Sequence, residues 1–494
     1  VQSVQPVVVI PESKDVVADD GVTAAEQAEG VSAPQMVNAL DMTGAGVAQS
    51  QLGLTGKGVK IGIIDSGIDY DHKEFGGSGA SGPEPSNPSW DGSTVFPTSK
   101  VKWGYDFVGN AYGDKSLPEG QVYIAHPDAF PDDCGGHGTH VAGIAAADGA
   151  EGTDEIRGVA PDAELGAYRV FGCEGSTSSD VMAAAMQMAA DQGMDVVNMS
   201  IGADYVVFSG YPTAVSADAM ADRGIVVTVA QGNIGDKGRW TMGAPGSSNK
   251  VITVGSVDNV IETNYYLTVS TNEGGKYAYA TASGSTADVV RDDAAQFPLV
   301  AAGDPATDLA AAELCDPVAD GSFTGKTVIV RRGDCTFRQK VLNAQAAGAT
   351  GVIIDNNTDG VISTDLSGTD GQTISIPVAS ISQADGDAIR AALTDSSTLT
   401  FTTEHTEFPV ATAGKVSDYS SWGLNSDLNL KPDVAAPGGL IWSTWPLDHG
   451  GPYKTISGTS MATPYTAGSI ALILQALPEI KDLQGTAAKD AVAW

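Results

Sequence analysis

Positive charge is scarce in this sequence. Across 494 residues, 26 Lys+Arg stand against 61 Asp+Glu, a formal net charge of −35. Such a surface repels phosphates, which argues against nucleic acid and anionic membranes as partners. Long apolar runs are also missing, since no segment reaches the roughly 18 residues needed to span a bilayer. Cysteine is limited to four residues, none in a CxxC-type spacing, so nothing points to a zinc site or a cysteine nucleophile. Four cysteines allow three pairings, and sequence order does not choose among them. The acidic residues are spread along the chain, so no metal site can be read from composition. No internal repeat stands out.

What remains is a globular composition, 42% hydrophobic, in a chain long enough for two domains with buried cores. The runs VKIGIID, DVVNMSIG and GIVVTVA are nearly continuous in apolar, β-branched character. That is how strands buried on both faces of a parallel sheet read. Between them lie helical stretches such as SDVMAAAMQMAADQG, with Ser179 or Asp180 as N-cap and Gly193 as the stop. Strands alternating with helices predict an α/β fold, a parallel sheet covered on both sides. The Gly/Ser/Pro-rich run Gly76–Ser93 reads as a surface loop.

Three residues carry the chemistry. Ser460 lies in GTSMATP, where small neighbours let the backbone turn sharply and expose a hydroxyl at the start of a helix. A serine hydroxyl is a poor nucleophile until a base takes its proton and a third group orients that base. His137, in CGGHGTHVAG, supplies a base, and Asp65, at the end of the strand VKIGIID, supplies the orienting carboxylate. Singly, Asp65 and His137 have plainer explanations, a turn cap and a structural imidazole, as does Asn233 in a fourth motif, AQGN, an ordinary turn. Together they stand in the order Asp, His, Ser, one of the known triad orders.

On these four motifs the chain resembles the subtilases, the subtilisin-like serine proteases, and in particular large secreted ones. The resemblance implies a subtilisin-like parallel sheet flanked by helices and a secreted, extracellular endopeptidase. Asp65, His137 and Ser460 would be its catalytic triad, and the Asn233 side chain its oxyanion donor. A non-catalytic binding protein on the same scaffold would be expected to have lost at least one of these groups. Substrate would lie extended against Gly172–Ser176, including Gly175, and against Ser200, Ile201 and Gly202. Gln231, where many relatives carry a small residue, departs from the family pattern. No cofactor is implied for the chemistry, but a structural calcium ion is compatible with the resemblance, Glu74 lying near a position often used for it.

The segment 265–408 separates two stretches of subtilase-like core, 31–264 and 409–494. Its motifs RRGDCTF and AAGATGVII resemble the small β-rich α/β protease-associated domain inserted in many such enzymes. That division favours pairing Cys134 with Cys173 and Cys315 with Cys335, in keeping with an oxidising compartment. Residues 1–30 read as a propeptide remnant or N-terminal extension: VQSVQPVVVIPESK resembles the last strand of a subtilase propeptide, with a processing site in or near Asp15–Gly30. The expected partners are protein or peptide substrates and the chain's own propeptide, with no nucleic acid and no membrane span.

Overall fold

The computed structural model describes residues 7–11, 34–82, 95–118, 120–149, 155–173, 175–282, 284–358, 360–362, 364, 366, 368, 371–410, 412–448 and 452–493. The expected processing stretch, 15–30, and the 83–93 part of the surface loop lie outside these residues. Two compact units result. One gathers the described residues up to Val260 and those from Gly414 onward; the other is Ile261–Ala413.

Up to Val260, the elements used below are β1 (Val9–Pro11), β2 (Lys60–Asp65), β3 (Val101–Asp106), α1 (His137–Ala146), β4 (Glu164–Arg169), β5 (Ser176–Ser178), α2 (Ser179–Asp191), β6 (Val196–Met199), α3 (Pro212–Ala221), β7 (Val226–Ala230) and β8 (Ile252–Asp258). The second unit contributes β9 (Ile261–Val269), β10 (Tyr277–Ala278), β11 (Ala280–Thr281), β12 (Phe297–Ala301), β13 (Thr327–Arg331), α4 (Phe337–Ala346), β14 (Gly351–Asp355), β15 (Val378–Ile381), α5 (Gln383–Ala392) and β16 (Thr398–Pro409). The chain then returns with β17 (Val434–Gly439) and α6 (Thr459–Ala476).

The first unit is built on a seven-stranded sheet in the order β17-β8-β7-β6-β2-β4-β3. Every neighbouring pair in it is parallel. Alternation along each strand feeds two cores. Ile61, Ile63, Val196 and Val226 join Val141 of α1 and Ala462 and Ala467 of α6 on one face. Val197, Met199, Val227 and Val229 pack with Met182 and Met186 of α2 and Met220 of α3 on the other. Helices on both faces are why these strands are apolar at consecutive positions. The helix α2 starts where the sequence suggested, but its N-cap is Ser178. The Ser179 hydroxyl is committed elsewhere, accepting the Val8 N–H at 3.0 Å.

The second unit carries a mixed eight-stranded sheet, β10-β9-β16-β12-β13-β14-β15-β11. β12 to β15 run parallel, with α4 crossing between β13 and β14. The RRGDCTF motif runs from the end of β13 into the start of α4, which leads on to β14. This unit is slightly wider than 265–408 because β9 and β16 keep pairing to Ile261↔Pro409, so its entering and leaving strands form one ladder. Among the described residues, no helix is long and apolar enough to cross a membrane.

Candidate active site

Asp65 ends β2, at the carboxyl edge of the parallel sheet, where open α/β folds place their ligands. Its carboxylate is fully buried, and Oδ1 accepts the Nδ1–H of His137 at 2.7 Å and the N–H of Ser66 at 2.8 Å. Burial pushes the Asp65 carboxyl above its ordinary value, with the adjacent His137 pulling the other way. His137 opens α1 and is nearly buried itself.

The turn around the imidazole is held from both sides. Asp133 accepts the N–H groups of Gly135 and Gly136 through Oδ1 and the N–H and hydroxyl of Thr139 through Oδ2, fixing the first turn of α1. Gly138 donates to Ser66 Oγ. A Cβ on Gly138 would lie 2.1 Å from the Gly67 carbonyl oxygen, so only glycine lets these two loops meet. The second histidine of HGTH, His140, is fully buried and donates from Nε2 to the carbonyls of Ile441 and Lys454. It packs the helix and takes no part in the Asp65–His137 pair.

Ser460 is buried in the first turn of α6. Its helix contains Pro464, four residues on, which has no N–H to give the Ser460 carbonyl. The Ser200 hydroxyl fills that role at 2.7 Å and is itself held by Asn198 Nδ2 at 3.1 Å. The Ser460 Oγ in turn lies 3.4 Å from the Ser200 carbonyl oxygen. Ser200 thus braces the serine turn through both its side chain and its backbone.

Asn233 follows β7. Its Oδ1 accepts both the N–H and the hydroxyl of Thr459, each at 2.8 Å, and Thr459 Oγ1 accepts the Gly232 N–H at 3.1 Å. With Oδ1 so fixed, Nδ2 is the donor end of the amide, beside the turn that carries Ser460. Nothing in the motif alone singled out Thr459, Asp133 or Ser66. The Pro464 spacing from Ser460 was the one readable sign that a side chain must cap that carbonyl.

The segments expected to hold substrate divide. Ser200 and Ile201 are buried, and Gly202 is half-buried with no tight neighbour. Gly172 is packed so closely that a Cβ would meet the Tyr112 carbonyl at 2.3 Å, and Gly175 adopts a φ of 106°. β5, starting at Ser176, is already paired: β1 lies antiparallel to it, with Val9↔Ser178, Ile10↔Thr177 and Pro11↔Ser176. Ile10 is fully buried in the α2-side core. Gln231 is also fully buried, and neither end of its amide has a hydrogen-bond partner among the described residues. The cysteines pair as Cys134–Cys173, with Cα atoms 4.9 Å apart, and Cys315–Cys335, at 5.6 Å.

Glu74 does not present a calcium ligand. It is buried, with His72 Nδ1 against Oε2 and the Tyr453 hydroxyl on Oε1, so both oxygens are engaged within the chain. Among the described residues there is no group of three or more His, Cys, Asp or Glu suited to a metal ion. The residues around Glu74 do not fit such a site.

Comparisons with known proteins show which family the chain belongs to. The family profile described as the Subtilase family matches residues 56–493. Over 94% of its length the chain is 35% identical to the minor extracellular protease Vpr of Bacillus subtilis (strain 168), covering 51% of that protein. Over 98% it is 32% identical to the PIII-type proteinase of Lactococcus lactis subsp. cremoris (strain SK11), covering 25% of that one. The chain therefore spans about half the length of the first relative and a quarter of the second. Among solved structures, the psychrophilic subtilisin-like protease Apa1 from the Antarctic psychrotroph Pseudoalteromonas sp. AS-11 aligns over 92% of this chain and 90% of its own, at 19% identity and a TM-score of 0.49. With a family match that spans most of its length, this chain belongs to the subtilase family.

Proposed function

We propose that the chain is a secreted serine endopeptidase, with Asp65, His137 and Ser460 as its triad. The observation that carries this reading is the buried 2.7 Å Asp65–His137 pair, built at the sheet edge of a subtilase-family fold. Ser460 Oγ attacks the scissile carbonyl while His137 Nε2 takes its proton and later passes it to the leaving amine. Asp65 holds the Nδ1–H tautomer and stabilises the imidazolium. Water then attacks the acyl-enzyme by the same proton route in reverse.

Charge on the tetrahedral oxygen is met by Asn233 Nδ2 and by the N–H of Ser460. First-turn N–H groups lack intrahelical acceptors, which suits that second donor to the task. The clamp of Thr459 on Asn233 Oδ1 supports the assignment, because a donor pre-aimed in the ground state costs no reorganisation during reaction. Substrate binds by strand addition between Gly172–Ser176 and Ser200–Gly202. The antiparallel β1–β5 ladder is an instance of that mode within the chain, and supports assigning residues 1–30 to a propeptide remnant that lies on the substrate strand. The name of the extracellular protease among its relatives favours an extracellular site of action, as do the two disulfides. We assign 31–264 and 409–494 to the catalytic domain and 265–408 to a protease-associated insert without chemistry of its own.

The test is hydrolysis of unstructured casein by wild type and by Ser460→Ala, with products mapped by mass spectrometry. Cleavage by the wild type that Ser460→Ala loses supports the reading. Equal cleavage by both removes Ser460 from the mechanism.

A further inference from the structure

Cations are few in this chain, and one of them, Arg169, is spent in the interior with 1% of its surface exposed. It ends β4. Its Nε donates to the Phe171 carbonyl at 3.0 Å, and Nη1 lies 3.2 Å from Asp106 Oδ2 at the end of β3. The remaining arm points at a disulfide: Nη2 is 2.9 Å from Cys134 Sγ and 3.9 Å from Cys173 Sγ. Neither sulfur needs a guanidinium while the bond is intact, since a disulfide carries no charge.

The bridge is also placed where breaking it would matter. Cys134 stands three residues before His137, in the turn that Asp133 fastens to α1. Cys173 stands three residues before Ser176, the first residue of β5, and its N–H is anchored on the Asn110 carbonyl at 2.9 Å. The S–S bond therefore ties the histidine turn to the loop that feeds the substrate strand. Both cysteines are half-buried rather than sealed in the core.

The second bridge offers a contrast. Cys315 Sγ also faces a cation, Lys340 Nζ at 3.6 Å, but the Glu313 carboxylate lies 3.7 Å from the same sulfur. A thiolate formed there would meet an anion as well as an ammonium.

We propose that Cys134–Cys173 is a thiol-exchange site for small-molecule thiols of the glutathione class, with Arg169 making Cys134 the leaving group. A thiolate attacks Cys173 Sγ, the S–S bond breaks, and its electron pair departs on Cys134 as a thiolate held by the guanidinium. Leaving-group thiols of low pKa depart faster, and a neighbouring arginine lowers a thiol's pKa. A second small thiolate then attacks the external sulfur of the mixed disulfide on Cys173. This frees Cys173 and releases the oxidised small disulfide, so two electrons pass from two thiols to the bridge. Opening unfastens the loop before β5 from the histidine turn and weakens substrate binding. The consequence for activity rests on the proposed triad, but the exchange chemistry does not.

The experiment therefore uses the Ser460→Ala chain, where proteolysis cannot interfere, and reduced glutathione as probe. Thiols are trapped with iodoacetamide over time and located by peptide mass spectrometry. Expected are opening of Cys134–Cys173 about tenfold or more faster than Cys315–Cys335, and a transient glutathione adduct on Cys173. Arg169→Met should slow opening several-fold, and Arg169→Lys should restore most of the rate. A purely structural Arg169 predicts the reverse, because a loosened loop exposes the bridge and speeds its reduction. If Arg169→Met does not fold, the position of the adduct in the parent chain decides by itself. An adduct on Cys134, equal rates at the two bridges, or faster opening in Arg169→Met each overturns the proposal. In the active chain, glutathione should raise KM several-fold with little change in kcat. A chain inactive from the outset would count against the triad and leave the exchange result standing.

Discussion

Two fully buried carboxylates, one in each compact unit, are held in opposite ways. Asp355 in the second unit has both oxygens taken by guanidiniums, Arg331 Nε at 2.6 Å on Oδ2 and Arg390 Nη2 at 2.9 Å on Oδ1. Asp65 in the first has Oδ1 doubly engaged, but Oδ2 has no hydrogen-bond partner among the described residues. A carboxylate saturated by fixed cations is a structural joint. One left under-satisfied beside an imidazole has its charge in reserve, and burial has already pushed its pKa up. Partner count separates the two carboxylates where burial does not, since both groups are equally hidden.

The largest expected effects break this comparison directly. Ser460→Ala should lower kcat by about 10⁶-fold and Asp65→Asn by about 10⁴-fold, with thermal stability little changed in either. Asp355→Asn should do the opposite. It leaves two buried guanidiniums facing a neutral amide and should cost the second unit about 3–5 kcal/mol, while kcat on a short peptide is retained wherever the chain stays folded. Steady-state kinetics and calorimetry on the same three variants separate the cases. A collapse of kcat in Asp355→Asn at full folding would erase the distinction between joint and reserve.

Next in size is the oxyanion arm. Asn233→Ala should lower kcat by roughly 10²–10³-fold with KM nearly unchanged, because the donor acts on charge that exists only in the transition state. Thr459→Ala removes the hydroxyl that clamps Asn233 Oδ1 and accepts from Gly232, and a smaller loss of about tenfold is expected. Thr459→Ser should keep most of the rate. If Thr459→Ala raised KM instead of lowering kcat, the clamp would belong to substrate binding.

These two effects also divide what the sequence could and could not say. The sheet was legible because strands covered on both faces must be apolar at consecutive positions, as Ile61 to Ile64 are. The Asp65–His137 contact was legible in the two motifs, where the approach of their loops demands glycine at Gly138. What escaped notice were the braces. Thr459, Asp133 and Ser66 act through hydroxyl and carboxylate geometry, and any loop is rich in such residues. Glu74 escaped for another reason. A carboxylate in a loop looks like a metal ligand until its neighbours are known, and Tyr453, far along the chain, is the neighbour that settles it. The β1–β5 ladder pairs residues about 170 apart, which no local pattern can encode.

The His72–Glu74 pair gives the first unit a pH signature of intermediate size. Burial works against the charged imidazole, yet the hydrogen bond and charge of Glu74 raise His72 above its ordinary 6.5. Burial likewise opposes the Glu74 carboxylate, but His72 and Tyr453 bring it below its ordinary 4.5. The His72 contribution is complete below about pH 6.5 and fades as pH rises through its folded value. The Glu74 contribution is complete above about pH 4.5 and fades as pH falls through its folded value. The pair therefore stabilises most between these two limits. Glu74→Gln in the Ser460→Ala background should cost most at pH 5.5 and less at pH 9, measured as the melting temperature. An equal loss at both would mean that packing, not charge, is what Glu74 supplies.

The second unit contains the converse case, and the smallest effect expected. Glu262, near the start of β9, is pushed up to about 7 by burial, with the like charge of Asp385 adding to the shift. An acid raised in the folded state keeps a proton between about pH 4.5 and 7 that the unfolded chain has released. Folding of this unit should accordingly weaken as pH climbs through that window and level off above it, where both states are ionised. The slope has the opposite sign to that of Glu74, because Glu262 meets a second carboxylate where Glu74 meets an imidazole. Glu262→Gln should remove it, raising the melting temperature of the second unit by a few degrees at pH 8 and leaving it nearly unchanged at pH 4. If the substitution instead lowered stability equally at both values, Glu262 would be held by a partner that tolerates its charge. The contrast between Glu74, which meets an imidazole, and Glu262, which meets a like charge, would then fail at this position.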